Sequence, residues 1–109
     1  MSPAETLRAA AAKVRDTASN ATPGPWECDG IGDYGWTVRD VSPFGTFAIE
    51  TEDSEQGQAD AEWIALMSPA VAEPLAAHLE RLADMALLTG APVMREALAL
   101  ARKILGRSS

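Results

Sequence analysis

Cys28 and His78 are the only thiol and the only imidazole in a chain of 109 residues, so they are the one thiolate–imidazole pair it can offer for nucleophilic catalysis. Their settings argue against that use. Cys28 falls in a stretch that alternates apolar and polar residues, as a strand does, and His78 lies beside Leu79 in a helical pattern. A single cysteine excludes an internal disulfide framework and any zinc site built on several thiolates. The acidic run Glu50, Glu52, Asp53, Glu55, Asp60 and Glu62 invites a calcium reading. Aligning Gly57 with the obligatory glycine of an EF-hand loop, however, puts Ser54 and Gln56 at ligand positions and Trp63 where a bidentate glutamate belongs. Gly30-Ile31-Gly32-Asp33-Tyr34-Gly35 has the glycines of a phosphate loop, but no helix start follows and acids crowd it. Nothing here requires catalysis, a metal or a cofactor, and the expectation is a non-enzymatic protein.

Aromatic rings are the remaining chemistry. Trp26, Tyr34 and Trp36 lie within eleven positions of one another in a chain with six aromatic residues, and with Arg39 they form the candidate binding set, stacking a planar ligand such as a nucleotide between subunits. Charge opposes this reading. Residues 26–62 carry ten acidic groups against Arg39 alone, whereas nucleotides need cationic compensation. The same imbalance disfavours DNA or RNA, since no basic stripe exists for a phosphate backbone to follow. An acidic surface instead suits a basic protein partner or plain solvation.

The elements that would position these residues are legible as patterns. Ser2-Pro3-Ala4-Glu5 is a helix start, with a serine cap, proline in the first turn and glutamate placed to bond back. Leu7, Ala10 or Ala11, Val14 and Ala18 continue it to about Asn20, where Thr22-Pro23-Gly24-Pro25 stops it. Strands are expected from Trp26, over Trp36–Val41 and over Thr46–Thr51, with Gly30–Gly35 a loop and Ser42-Pro43-Phe44-Gly45 a turn. One sheet face would carry Trp26, Cys28, Trp36, Val38, Phe47 and Ile49. After a polar stretch to Gln58 come a helix over about 58–67, a longer one opened by Ser68-Pro69 in which Pro74 imposes a bend or a late start, and a last one from Ala91-Pro92 to Gly106. The spacing predicts an α+β fold: an N-terminal helix (1–20), a three-stranded antiparallel meander (26–51) and two to three C-terminal helices (58–105), in one domain spanning 1–109.

Two of these segments carry a resemblance. Ala21-Thr22-Pro23-Gly24-Pro25-Trp26 together with Asp60-Ala61-Glu62-Trp63-Ile64-Ala65-Leu66-Met67-Ser68-Pro69 resembles the Ead-like family of phage early-region proteins. There an alanine-rich helix leads to a Thr-Pro-Gly-Pro-Trp element, a variable strand region and an Asp-Ala-aromatic-Ile-Ala segment before a further helix. The likeness covers residues 5–84. It implies phage or prophage origin and an accessory role, and no known enzyme chemistry.

Composition adds an expectation of self-association. Of 51 apolar residues 21 are alanine, which contribute little buried area each, so a partner surface is expected to complete a thin core. The leucine stripes of the last two helices nominate Leu98, Ala101 and Leu105 as the interface of a homo-oligomer, a dimer being favoured. A host or phage protein is the other candidate partner. No apolar run approaches the roughly 18 residues of a membrane span, and Met1-Ser2-Pro3-Ala4-Glu5 lacks the basic start and apolar core of a secretory signal. The expected location is the cytoplasm, that of the host cell if the chain is phage-encoded.

Overall fold

The computed structural model of the chain describes residues 1–41, 48–89 and 95–106. Its elements run α1 (Pro3–Ser19), β1 (Trp26–Ile31), β2 (Trp36–Asp40), β3 (Ala48–Glu50), α2 (Glu55–Leu66), a 3-10 turn (Pro69–Val71), α3 (Ala72–Thr89) and α4 (Arg95–Ile104). The strands form one antiparallel sheet in the order β1-β2-β3, which is the α+β arrangement expected. The expected turn at Ser42–Gly45, Phe47, and the start of the last helix with Met94 lie outside the described residues. The chain makes two compact units, residues 1–20 with 72–109 and residues 21–71. Thus α2, grouped by sequence with the later helices, belongs to the sheet, and α1 belongs with α3 and α4.

The helical unit begins as the sequence predicts. The Ser2 hydroxyl accepts from the Glu5 backbone N–H at 3.1 Å and the Glu5 carboxylate accepts from the Ser2 N–H at 3.3 Å, a reciprocal capping box. Hydrogen bonding to the carboxylate, from the Ser2 side chain first and the Ser2 backbone N–H second, holds the Glu5 carboxyl below its usual range. The buried core is Ala4, Leu7, Ala10 and Ala11 of α1, Ala76, Leu79 and Ala83 of α3, and Ala97 and Ala101 of α4. Seven of these nine are alanines, and side chains this small let helix axes pack at the close end of the 8–10 Å range. The alanine-rich stripe therefore closes within one chain.

Ion pairs flank the seam. Arg15 donates to both carboxylate oxygens of Glu73 at 2.9 and 2.8 Å and to Glu80 at 2.5 Å, and Arg8 reaches Asp84 at 2.7 Å. Later α1 residues meet earlier α3 residues, so the two helices are antiparallel. Pro74 gives the late start: α3 begins at Ala72, which leaves the proline in the first turn, where its missing N–H has no helical partner to lose. Gly106, at φ +78°, ends the last helix, as expected.

In the sheet unit, register places Cys28 opposite Val38, Trp26 opposite Asp40 and Val38 opposite Ile49. Opposite residues share a face, so Trp26, Cys28, Trp36, Val38 and Ile49 do lie together, with Asp40 among them. The strand β1 outlasts its expected end at Asp29. Three residues from Cys28 to Ile31 span two from Trp36 to Val38, a bulge at which Gly30 takes φ +78°, and the hairpin loop shrinks to residues 32–35. Similarly α2 starts at Glu55, because the Ser54 hydroxyl caps Gly57 N–H at 3.0 Å and side-chain pairs Gln56–Asp60 and Gln58–Glu62 run along the helix. The stretch up to Gln58 is thus partly helical.

Candidate functional site

Helix α2 packs on β1 and β2, and its small residues decide which side faces them. Gly57 and Ala61 are buried; a Cβ at Gly57 would collide with the Glu52 carbonyl, so the first turn lies flat on the chain that precedes it. Thr51 pins the same end, its hydroxyl donating to the Gly57 carbonyl at 2.6 Å. With 100° between residues, turning Gly57 and Ala61 inward turns Ala59, Trp63 and Leu66 outward, with the C-cap Met67 continuing the stripe. Trp63 is 63% exposed, Leu66 66% and Met67 47%. Tryptophan is highly buried on average, so three adjacent large apolar residues left in water form a feature that folding of this chain does not use.

Acids rim the stripe. On the helix surface Asp60 lies beside it on one flank and Glu55 and Glu62 on the other, and α2 holds no basic residue. Among the described residues, Asp60 and Glu62 accept from Gln56 and Gln58, at 2.9 and 3.3 Å. Residues 21–71 carry net charge -9 and the remainder of the chain +2. Arg39, the sole cation of the sheet unit, is spent on Asp29 at 3.3 Å.

The aromatic candidates are placed apart. Trp26 is half-buried at one end of the ladder, its indole N–H donating to the Thr22 carbonyl at 3.1 Å. Trp36 sits four residues from the partner of Trp26 along β2, a separation of about 13 Å at 3.3 Å per residue. Tyr34 is 86% exposed at the hairpin tip, where its backbone N–H donates to the Glu50 carboxylate at 2.8 Å. Arg39 points to the opposite face from Val38. The ladder therefore brings Tyr34 near Trp36 in sequence but does not gather Trp26, Trp36 and Arg39 around one ligand.

The nominated interface residues are accounted for differently. Ala101 is fully buried in the helical core, and Leu98 and Leu105 pack against that core half-buried. Their stripe faces α1 of its own chain, which the sequence pattern had left without a covering partner. Cys28 is a half-buried free thiol on β1, and His78 is exposed on α3. Among the described residues no group of three His, Cys, Asp or Glu side chains is placed to hold a metal ion, and no helix is long and apolar enough to cross a membrane. Two buried polar atoms, Thr37 Oγ1 and Asp40 Oδ1, have no partner among the described residues.

Sequence reasoning did not select Trp63, Leu66 and Met67, although a signal existed: Trp63 stands beside, not on, the Ala61–Ile64–Ala65 stripe. The two segments of the family resemblance also meet in space. A Cβ at Gly24 would lie 2.7 Å from the Ala70 N and 2.8 Å from the Ser68 hydroxyl oxygen, so the Pro23-Gly24-Pro25 turn is seated against the residues that follow α2. Comparison of the chain with protein-family models, with curated proteins and with solved structures returns no match.

Proposed function

We propose that the chain is a non-enzymatic interaction module, of phage or prophage origin, that engages another polypeptide through the outward stripe of α2. The observation that carries this reading is the exposure of Trp63, Leu66 and Met67 side by side on a helix whose other face is anchored to the sheet. Tryptophan anchors that enter a partner pocket dominate protein–protein binding energy, and water-exclusion by the surrounding residues completes such sites. The accessory phage role rests on the resemblance of the two sequence segments alone.

Native mass spectrometry of the gently purified protein, wild type beside Trp63→Ala, tests the reading. The wild type is expected to retain a polypeptide, a second copy or another chain, that the variant loses. A bare single chain in both samples overturns it. Retention of a few hundred daltons of small molecule instead supports the sequestering of a nucleotide-like ligand.

A further inference from the structure

The acids beside Trp63 fall in a register. Taken in sevens, α2 puts Gln56 and Trp63 at the a positions and Ala59 and Leu66 at the d positions, the seam along which one helix lies against another. Its flanking positions are then Glu55 and Glu62 at g, and Asp60 and the C-cap Met67 at e. Every one of these seam and flank residues is exposed. Opposite them, Gly57 and Ala61 are buried, and Ile64 and Ala65 are half-buried. At 100° per residue the middle of the seam stands about 180° from the middle of the anchored face, so the sheet holds one side of α2 and leaves the whole seam in water.

The flanks fix the chemistry of what can lie there. In a two-helix contact the e and g residues meet their counterparts across the seam and select the partner by charge. Here three of the four are carboxylates, α2 holds no basic residue, and Arg39, the cation of the sheet unit, is engaged by Asp29. A second copy is opposed in either direction: laid parallel, Glu55 meets Asp60 of the other copy, and laid antiparallel, glutamate meets glutamate. We infer that the α2 seam receives a helix of a different polypeptide, apolar along its own seam and carrying Lys or Arg on both flanks. The inference rests on the interaction reading of α2 and names the class of its partner. The 12 residues of α2 span about 18 Å, so about two heptads of that helix engage.

Two synthetic three-heptad peptides provide the test, both with leucine at a and d, one with lysine and the other with glutamate at every e and g position. Like charge keeps either peptide from pairing with itself. In isothermal titration calorimetry at low salt the lysine peptide is expected to bind the intact chain at least about tenfold more tightly than the glutamate peptide, the margin shrinking as salt rises. Trp63→Ala should abolish this binding, which separates docking on the seam from diffuse attraction to an acidic protein. The triple variant Glu55→Lys, Asp60→Lys and Glu62→Lys, folded by circular dichroism, should exchange the preference. Equal affinity for both peptides, no binding of either, or lysine-peptide binding that survives Trp63→Ala overturns the inference. So does self-pairing, seen as a mass of two chains in sedimentation equilibrium that Trp63→Ala reduces to one. Failure of this partner is distinguishable from failure of the interaction reading. A chain that ignores the lysine peptide, yet retains another polypeptide through Trp63 in native mass spectra, keeps the reading and removes the basic helix; with nothing retained, both fall.

Discussion

Gly57 shows how one missing side chain can orient a whole surface. It sits in the first turn of α2, where alanine would be favoured over glycine by about 1 kcal/mol on helix propensity alone. Its Cβ would nevertheless fall on the Glu52 carbonyl, which is backbone and cannot swing aside. The collision should win. Gly57→Ala is expected to destabilise the protein by about 2 kcal/mol, in the range for overpacking, rather than stabilise it, as read by urea denaturation; a gain in stability would show that α2 is free to lift from the chain before it. Thr37 and Asp40 present a second lesson at this scale. Alternation predicted the apolar members of the sheet face, yet Asp40 shares that face with a buried carboxylate oxygen, and no periodicity in the sequence announces a carboxylate there.

At the scale of elements, the contact of α1 with α3 couples packing to charge. Arg15 holds the Glu73 carboxyl below its ordinary range chiefly by hydrogen bonding to it, with burial opposing and charge attraction helping. The same bonds keep the Arg15 guanidinium more firmly protonated. A carboxyl depressed in the folded state stabilises it above the unfolded value, and that contribution disappears as pH falls through the folded value. The melting-temperature difference between wild type and Glu73→Gln should therefore be widest near neutral pH and close as the solution is taken down through the carboxylate range. A difference that is constant with pH would detach the ion pair from stability. The α4 stripe makes a different prediction from the one its sequence suggested. Because Leu98 packs against the core of its own chain, Leu98→Asp should cost at least about 2 kcal/mol of folding stability and lower the helical signal in circular dichroism. A variant of unchanged stability that merely changed its mass in solution would return Leu98 to the role of an interface residue.

Across the whole molecule, charge is segregated: -9 on residues 21–71 and +2 on the rest. Local patterning was enough to anticipate most elements. The Ser2 capping box, the stop before Pro23, the three strands, the late start around Pro74 and the end at Gly106 each follow from a few neighbouring residues, because caps, turns and proline sterics act over four or five positions. The acidic middle was legible for the same reason, being a matter of composition. Tertiary structure alone decided which helix pairs with which element. It assigned α2 to the sheet and α1 to α3 and α4, buried Ala101 that had been nominated for an interface, and turned Trp63 outward although a tryptophan is ordinarily expected inside. The physical reason is that helical periodicity marks a stripe but does not name its partner. An alanine stripe fits whatever surface can approach most closely, and here that surface is formed by alanines 65 to 97 residues away along the chain.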